Sequence, residues 1–284
     1  MSIQILSAGL FSSIQDRGRF GYARYGVPVS GVMDRYSTSF ANLLLGNDPE
    51  AAVMEITLQG PCLQFMSETM IAVSGLGADI LLDQKKMLIN RPYRVLKNQK
   101  LRISRVTRGV RVYLAVKGGF QTAKVLGSRS FYFPLTPRQL SKKHHLPIQE
   151  KKRVPKVHHA RLRFDDARYL SKQLEVYPGP EWQVLSTDAQ TRLLNTLFSV
   201  AETSNRMAYQ IKEKLPHDLS GMITQPVLPG TVQYTPAGDL IILMRDAQVT
   251  GGYPRVLQLT SQSIDRLAQK SVGEQIRFAL KEEG

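Results

Sequence analysis

Short stretches of β-branched and aliphatic residues, separated by glycine, proline and asparagine, recur along this sequence. Stretches of this length that end in turn-forming residues are typical of β-strands. The clearest of them lie at residues 68–82, 94–104, 111–116, 231–234, 240–245 and 275–280. The pattern therefore predicts a mostly β protein.

Helical periodicity is confined to a few segments. Residues 34–45 place four large side chains on one face of a helix, namely Tyr36, Phe40, Leu43 and Leu44. Residues 187–197 and 263–270 are shorter helical candidates, and Ser263 is placed to cap the second of these. Many short strands with a few helices predict closed or nearly closed barrels, because closure removes exposed sheet edges.

Two parts of the chain repeat the same motifs in the same order. Residues 27–33 resemble residues 200–207, with a serine three positions before a methionine in both. Apolar triplets then follow at equal spacing in each part, at 63–65 and 71–73 and again at 232–234 and 240–242. This order favours internal duplication. We therefore predict a first barrel domain at residues 1–133, a basic connecting segment at 134–173 and a second barrel domain at 174–284.

Composition narrows the class of protein. The 284 residues are 42% hydrophobic, which is enough chain to bury two medium-sized cores. A single cysteine, Cys62, cannot form an internal disulfide, and the first residues lack the pattern of a secretory signal. No apolar run approaches the length that a membrane helix requires. We therefore expect a cytoplasmic protein with no membrane span.

The net charge of +15 is concentrated in one segment. Residues 138–163 contain nine Lys and Arg but one Glu, together with His144, His145, His158 and His159. Proline interrupts the segment, so we interpret it as a solvated connecting loop. Adjacent histidines on extended chain point apart, which disfavours a metal site. Nucleic-acid binding remains an alternative, disfavoured by the absence of aromatic residues that would stack on bases.

Six motifs identify a resemblance to a known family. They lie at residues 13–19, 26–34, 41–47, 52–55, 126–130 and 246–255, and further similarity extends almost to both ends of the chain. These motifs resemble the carboxyltransferase-like proteins of the allophanate hydrolase subunit 2 type. The family includes the C-type subunit of bacterial 5-oxoprolinase, the antagonist of the sporulation kinase inhibitor, and half of the carboxyltransferase domain of urea carboxylase. The resemblance implies a pair of cyclophilin-like β-barrels, in agreement with the predicted duplication.

The same resemblance implies a reaction and partners. It implies a hydrolase subunit that acts with a B-type subunit, related to the kinase inhibitor, and an A-type subunit in the ATP-dependent opening of 5-oxoproline to glutamate. The chain would be inactive alone, and ATP, with Mg²⁺, would bind in the complex. One alternative is a carboxyltransferase that acts on a small amide and receives its carboxyl group from biotin on a separate carrier. Another is a regulatory protein that binds a kinase inhibitor without chemistry.

The first motif offers candidate catalytic residues. In residues 15–19 a carboxylate, Asp16, lies between the guanidinium groups of Arg17 and Arg19. Arginine binds carboxylates and phosphates through two parallel hydrogen bonds. The alternative is an Asp–Arg pair that only organises a loop. Ser30 precedes a predicted helix, where an anion or an ordinary cap is favoured, and Arg129 is a further candidate anion ligand.

The last motif offers candidate substrate-binding residues. Thr250 is followed by two glycines and leads to Tyr253 and Arg255, a pattern that predicts a shaped loop rather than a central strand. Gln248 and Thr250 would then bind an amide-like substrate, Tyr253 would form a wall and Arg255 would hold an anion. The alternative is a hairpin that needs its glycines for steric reasons. In the second repeat, Ser204 and Arg206 are candidates for the same role.

Several common mechanisms have no support in the sequence. It lacks a nucleophile elbow, a Walker A loop, the zinc-binding patterns and a biotin-attachment motif. The family pattern leads us to expect an acidic residue after Ser204 and a glycine after Met207, where Asn205 and Ala208 stand. A general base is not identified. The sequence also leaves open whether the two halves share one cleft or carry one each.

Overall fold

The chain divides into two units, each built on its own β-sheet. The structure, a computed structural model, describes residues 1–136, 140–149, 162–217, 219 and 221–281. The first unit comprises Met1–Arg19 and Ser30–Asp166, and the second comprises Phe20–Val29 and Ala167–Gly284. The described residues contain three α-helices and eighteen strands. The prediction of a mostly β chain with a few helices is confirmed.

The first unit contains nine strands and one helix. The strands are β1 (Ser2–Ser7), β2 (Phe11–Gln15), β3 (Val53–Thr57), β4 (Cys62–Phe65), β5 (Thr69–Leu82), β6 (Lys85–Lys86), β7 (Pro92–Val95), β8 (Lys100–Val116) and β9 (His145–Pro147), and the helix is α1 (Arg35–Leu44). They form one sheet in the order β2-β3-β8-β4-β1-β9, and β5 pairs with β6, β7 and β8. β5 is therefore a further strand of the same sheet, joined to it through β8.

The long strand β8 organises the first sheet. β3 pairs with its C-terminal half, β4 with its N-terminal half, and β5 with nearly its whole length. The β5–β8 register shifts three times between Gly75 and Ile80. Bulges of this kind bend a strand and increase its twist, so they curl the sheet. The sequence predicted separate strands at 94–104 and 111–116. This prediction is wrong, because β8 continues through the residues where a turn was expected.

The first sheet is buried on both faces where the C-terminal half of β8 pairs with β5, whereas the N-terminal half of β8 has one exposed face. Side chains alternate along β5 and β8, because successive residues of a strand point to opposite faces. One set, with Ile71, Val73, Leu114 and Val116, joins the large core cluster, and the other set, with Ala72, Tyr113 and Ala115, packs with Ala41 of α1. Helix α1 begins after Asp34, whose side chain accepts from the Ser37 backbone N–H at 3.0 Å. The predicted helix at 34–45 is confirmed, although Leu43 is exposed.

The second unit contains nine strands and two helices. The strands are β10 (Gln173–Pro178), β11 (Phe198–Ser199), β12 (Ala208–Gln210), β13 (Gln225–Pro226), β14 (Thr231–Tyr234), β15 (Leu240–Leu243), β16 (Thr250–Gly251), β17 (Arg255–Leu259) and β18 (Gln275–Leu280), and the helices are α2 (Thr187–Asn195) and α3 (Ser261–Leu267). Seven strands form a sheet in the order β11-β18-β10-β17-β14-β15-β12, and β13 pairs with β16. Its core includes Phe198 and Phe278, whose ring centroids are 5.5 Å apart.

Two details of the second unit differ from the prediction. Thr260, not Ser263, caps α3, and the Ser263 backbone N–H donates to the Thr260 hydroxyl at 3.2 Å. The helix therefore begins at Ser261, two residues before its predicted start. The triplets at 232–234 and 240–242 lie on β14 and β15, which pair with each other. Their predicted counterparts in the first unit lie on β4 and β5, which both pair with β8.

The predicted connecting segment is only partly described. Within residues 140–149 we expected a solvated loop, but His145–Pro147 forms β9 and pairs with the first strand of the chain. Leu146 is buried in that pairing, which explains why a short strand forms beside Pro147. His158, His159 and most of the basic residues of this segment lie outside the described residues. Among the described residues, every helix is too short or too polar to span a lipid bilayer.

Candidate functional site

Asp16 follows directly after β2 and is surrounded by hydrogen-bond donors. Its carboxylate accepts from the backbone N–H groups of Gly18 at 2.9 Å and Arg129 at 2.6 Å. The hydroxyls of Ser128 and Ser130 donate to it at 2.5 and 2.7 Å. Because this carboxylate accepts from two backbone and two hydroxyl donors, it fixes the position of Gly18 relative to residues 128–130. This arrangement favours a positioning role for Asp16.

Arg19 joins the same two segments. Its side chain is 1% exposed, and its guanidinium donates to the backbone carbonyl of Ser130. Asp16 and Arg19 therefore connect the chain after β2 to residues 128–130 from both sides. Of the three predicted catalytic residues, Asp16, Arg17 and Arg19, the first and the last bind partners within the protein at this junction. Their catalytic role stays a prediction.

A cavity of about 370 Å³ lies beside this junction, within the first unit. Arg17 stands at its edge and pairs with Glu50, with Nε 3.2 Å from Oε1 and both side chains more than half exposed. The cations and carboxylates that line the cavity are Arg17, Lys124, Arg129, Asp16, Asp48 and Glu50. The cavity is therefore polar, with three cationic side chains and three carboxylates in its lining, of which Glu50 pairs with Arg17.

Arg129 is held in the wall of this cavity. One of its terminal nitrogens donates to Gln121 Oε1 at 2.8 Å, while its backbone N–H is bound by Asp16. The preceding turn gives it this position: Val125 and Ser128 exchange backbone hydrogen bonds across Leu126 and Gly127. Both central residues have positive φ, at 51° and 79°. Two positive φ values define the type I′ turn, for which glycine is suited.

Two asparagines, one in helix α1 and one just after it, support another part of the cavity lining. Asn42 donates to the carbonyls of Pro49 and Ala51 at 3.2 and 2.8 Å and accepts from Asn47. Asn47 also accepts from the backbone N–H of Gly118 at 2.8 Å. These contacts fix residues 49–51 and 118, all near or within the cavity lining. Asn42 thus satisfies buried partners, as its position in the sequence suggested.

Ser30 occupies an unusual position beside the start of α1. It has a φ of 57° and is fully buried, and no described residue pairs with its hydroxyl. Positive φ is costly for a residue with a side chain and is often found at functional sites. The cap of α1 is Asp34, so Ser30 does not act as the N-cap. Its predicted role as a substrate ligand stays a prediction.

A buried charged cluster lies beneath the start of α1. Glu55 is fully buried, and its carboxylate accepts from the Met33 backbone N–H at 2.8 Å and lies 3.7 Å from Arg111 Nε. The Tyr113 hydroxyl accepts from the Asp34 backbone N–H at 2.9 Å. Burial, followed by the nearby Glu55 and Asp34 carboxylates, raises the pKa of Tyr113 well above its ordinary value. Tyr113 therefore stays neutral and holds the helix start.

In the second unit, Arg206 forms an internal ion pair with Asp246. Its guanidinium binds Asp246 through two hydrogen bonds of 2.7 and 3.0 Å, and both side chains are nearly buried. Ser204 is half-buried and accepts from the Gln210 backbone N–H at 3.1 Å. Both residues organise the turn before β12. Asp246 is part of the last motif, but no signal in the sequence indicates that it pairs with Arg206.

Arg255 also forms an ion pair within the second unit, with Glu181. Its Nε and one terminal nitrogen donate to the two oxygens of Glu181 at 3.0 and 2.8 Å, and its other terminal nitrogen donates to the Pro226 carbonyl at 3.0 Å. Hydrogen bonds from Arg255 hold the pKa of Glu181 below its ordinary value, although partial burial opposes the shift. Arg255 therefore joins β17 to β13, and any ligand anion would have to compete with Glu181.

The glycines of the last motif make close approach possible. A Cβ on Gly251 would lie 2.3 Å from Nε2 of Gln233, a side chain that is 1% exposed. No described residue accepts from this Nε2. Gln248, Thr250 and Tyr253 are exposed on and beside β16, which forms a two-stranded sheet with β13. The segment that the sequence predicted as a loop contains the short strand β16. A side chain at position 251 would clash with Gln233, so glycine is required there for steric reasons.

Several residues of these sites were not singled out from the sequence. Ser130, Glu50, Lys124, Glu181 and Gln233 have no distinctive neighbours in the chain, and only the fold brings them to their partners. The spacing of Ser128 and Ser130 around Arg129 was the one usable signal. Among the described residues, no group of three or more His, Cys, Asp or Glu is placed to hold a metal ion.

Comparison with known proteins agrees with this fold. The family described as "Carboxyltransferase domain, subdomain A and B" matches residues 25–280. The C-type subunit of the 5-oxoprolinase of Escherichia coli (strain K12) is 30% identical over 285 residues, which cover 97% of this chain and 90% of that protein.

Two solved structures also have this fold. The protein TTHA0988 is similar with a TM-score of 0.86 and 27% identity, over 98% of this chain and 55% of its own. The urea carboxylase of Kluyveromyces lactis has a TM-score of 0.87 and 27% identity, over 99% of this chain but 27% of its own. This chain therefore spans only part of the length of these two solved proteins.

Proposed function

Because the chain belongs to the family of carboxyltransferase domains, subdomain A and B, we propose that it is the C-type subunit of a 5-oxoprolinase-like enzyme. In this proposal it acts with a B-type and an A-type subunit in the ATP-dependent opening of 5-oxoproline to glutamate. The observation that carries the proposal is the match to the C-type subunit of a 5-oxoprolinase over almost its whole length, whereas the chain covers 27% of a urea carboxylase. With one cysteine and no internal disulfide to form, we expect the complex in the cytoplasm.

The cavity of the first unit is the proposed substrate site. Its volume of about 370 Å³ falls within the range of small-molecule sites. 5-Oxoproline carries one carboxylate and one lactam group, so a cationic side chain and hydrogen-bond donors are the groups that recognise it. Arg129, fixed by Gln121 and by the junction at Asp16, presents such a cation without having to be ordered first.

The pair of Arg17 and Glu50 suits exchange with a substrate. An exposed ion pair contributes about 0–1 kcal/mol, because water and ions compete with it. A substrate carboxylate that takes the place of Glu50 beside Arg17 therefore costs little binding free energy. Lys124 adds a third positive charge to the same cavity. We assign binding and orientation of the anion to these three side chains.

A lactam is a poor electrophile, so its opening needs activation. ATP, when bound in the complex, supplies the phosphoryl group that activates the lactam oxygen. Cationic side chains and oriented backbone N–H groups stabilise the negative charge that develops on oxygen during such transfers. Asp16 and Arg19 then act as positioning residues for Arg17 and Arg129. We assign ATP, its Mg²⁺ and the general base to the complex rather than to a named residue of this chain.

A second candidate is a biotin-dependent carboxyltransferase that acts on a small amide. It is favoured by the TM-score of 0.87 with a urea carboxylase and by the description of the family. Because the sequence lacks a biotin-attachment motif, the biotin would have to arrive on a separate carrier protein. A regulatory role without chemistry, through binding of a kinase-inhibitor protein, is the third candidate.

Reconstitution with defined partners separates these candidates. The chain, a B-type subunit and an A-type subunit are mixed pairwise and all together, and glutamate release from 5-oxoproline is followed with and without ATP. We expect release only from the complete mixture with ATP, and no inhibition by avidin, which sequesters biotin. A carboxylated biotin carrier is then added with urea: carboxylation of urea that avidin abolishes would favour the second candidate. Tight binding to the B-type subunit with no turnover in the complete mixture would favour the third.

A further inference from the structure

The cavity of the first unit that contains Arg17, here called the first cavity, has a volume of about 370 Å³ and charged groups of both signs in its lining. Four of the six charged side chains bind partners within the protein. The other two, Asp48 and Lys124, are exposed and form no ion pair with any described residue. The cavity therefore offers a ligand one carboxylate and one cation that no described residue neutralises.

The carboxylate of Asp48 is held in a fixed orientation. Its Oδ1 accepts from the Glu50 backbone N–H at 2.8 Å, and its backbone carbonyl accepts from the Ala51 backbone N–H at 3.0 Å. A side-chain oxygen that binds the backbone two residues ahead forms an Asx turn. The second oxygen, Oδ2, has no hydrogen-bond partner among the described residues. A cationic group of a ligand can therefore bind Asp48 without displacing a protein donor.

The proposed reaction creates one charge of each sign. In net terms, opening of the lactam breaks the ring C–N bond, while one water molecule supplies an oxygen to the carbonyl carbon and two hydrogens to the nitrogen. A neutral amide thereby becomes a carboxylate and an ammonium group. Each of these new charges has a counterpart in the lining of the first cavity, the carboxylate at Lys124 and the ammonium group at Asp48.

On the basis of the proposed function, we propose that the first cavity also binds the acidic α-amino acid that the reaction releases, and that Asp48 recognises its ammonium group. Lys124 and Arg129 bind its two carboxylates. 5-Oxoproline lacks the ammonium group, so Asp48 distinguishes the product from the substrate. Free glutamate competes with 5-oxoproline for the cavity, and accumulated product slows the enzyme at this same site.

The probe is L-glutamate, and its matched control is glutarate, which has the same two carboxylates but no ammonium group. Ala51 and Ala52 line the first cavity, and their methyl groups report binding by NMR. Ile14 and Leu140 line a second cavity, of about 180 Å³, and their methyl groups should not shift. The ratio of the two dissociation constants isolates the contribution of the ammonium group, because both ligands share the carboxylate contacts.

Three variants test the contacts. Asp48→Asn keeps an oxygen that can accept from Glu50 but removes the negative charge. In this variant the ratio of the dissociation constant of glutarate to that of glutamate should fall about fivefold, the upper end for an exposed ion pair. Lys124→Gln should weaken both ligands and leave the ratio nearly unchanged. Asp79→Asn, at an exposed position of β5, is the control and should change neither constant. Glutamate that does not shift Ala51 and Ala52, or an Asp48→Asn variant that keeps the ratio of the unmodified protein, would overturn the proposal.

Inhibition of the complete three-subunit mixture separates this proposal from the proposed function. Followed by ADP release, glutamate should inhibit in competition with 5-oxoproline, with an inhibition constant about fivefold higher for Asp48→Asn. An active mixture whose inhibition constant is the same in this variant would overturn the role of Asp48 alone. A mixture without activity would contradict the proposed function, and the ratio of dissociation constants would still decide whether Asp48 binds the ammonium group.

Discussion

Arg17 and Glu50 form an ion pair at the edge of the first cavity, with the guanidinium Nε 3.2 Å from the carboxylate Oε1. The two side chains remain 59% and 52% exposed. The pair joins two segments that both line the cavity, residues 16–18 after β2 and the segment that contains Asp48 and residues 50–52. An anion that enters the cavity therefore meets Arg17 already ordered but only weakly neutralised.

The first prediction concerns this pair. In the reconstituted enzyme, Arg17→Gln should raise the KM for 5-oxoproline about tenfold, because a charged hydrogen bond to the substrate is lost. Glu50→Gln should leave KM unchanged or lower it, because the competing carboxylate is gone. Neither change should alter the free energy of unfolding by more than about 1 kcal/mol. An equal rise of KM in both variants would mean that the intact pair, and not the guanidinium of Arg17 by itself, is required.

The second prediction concerns Asp16. Asp16→Asn replaces one of the two acceptor oxygens by an NH2 group, which cannot accept and faces a donor, so at least one of the four hydrogen bonds is lost. We expect a loss of about 2 kcal/mol in the free energy of unfolding, measured in urea. Asp79→Asn, at an exposed position of β5, is the matched control and should change stability little. An Asp16→Asn variant with unchanged stability and full substrate affinity would show that the junction does not depend on this carboxylate.

Elements whose signal is local could be predicted from the sequence. The helix after Asp34 and the strands in the two apolar regions at 231–243 and 275–280 follow from periodicity and turn residues. The continuity of β8 was not predictable, because Gly109 has a positive φ of 73° within the strand, and pairing with β5 on both sides of it, at Arg108 and Val112, continues the strand. In the same way, Arg206 and Arg255 look like anion ligands in the sequence. Their partners Asp246 and Glu181 lie 40 and 74 residues away.

The third prediction is a dependence of stability on pH. Because Arg255 lowers the pKa of Glu181 in the folded protein, this pair stabilises the fold above the ordinary carboxyl pKa of about 4.3. The contribution is lost as the pH falls through the lowered pKa. Glu181→Gln should therefore cost about 2 kcal/mol at pH 7, and the difference from the unmodified protein should shrink below about pH 4.

The control for this pH dependence is Glu202→Gln, at an exposed position without an ion pair among the described residues. Urea unfolding of the three proteins between pH 3 and pH 7 measures the effect. A difference that stays constant across this range would show that Glu181 acts through packing and not through its charge.

The fourth prediction concerns the two-stranded sheet of β13 and β16 in the second unit. Gly251→Ala would place a Cβ 2.3 Å from the buried Gln233 amide, so one of the two must move. We expect a loss of about 1–3 kcal/mol in the free energy of unfolding. Gln233→Ala in the same chain should recover part of this loss, because it removes the clashing group. Gly221→Ala is the control, since its Cβ would have its nearest neighbour at 3.8 Å. Additive losses in the double variant would contradict the contact.

The most direct measurement is the rate of ATP-dependent glutamate release from 5-oxoproline by the complete three-subunit mixture that contains Arg129→Gln. Arg102→Gln, on the exposed face of β8, is its control. We predict release at the unmodified rate with Arg102→Gln, and a KM at least about tenfold higher with Arg129→Gln. A complete mixture that releases no glutamate, or an Arg129→Gln variant with an unchanged KM, would contradict the assignment of the first cavity as the substrate site.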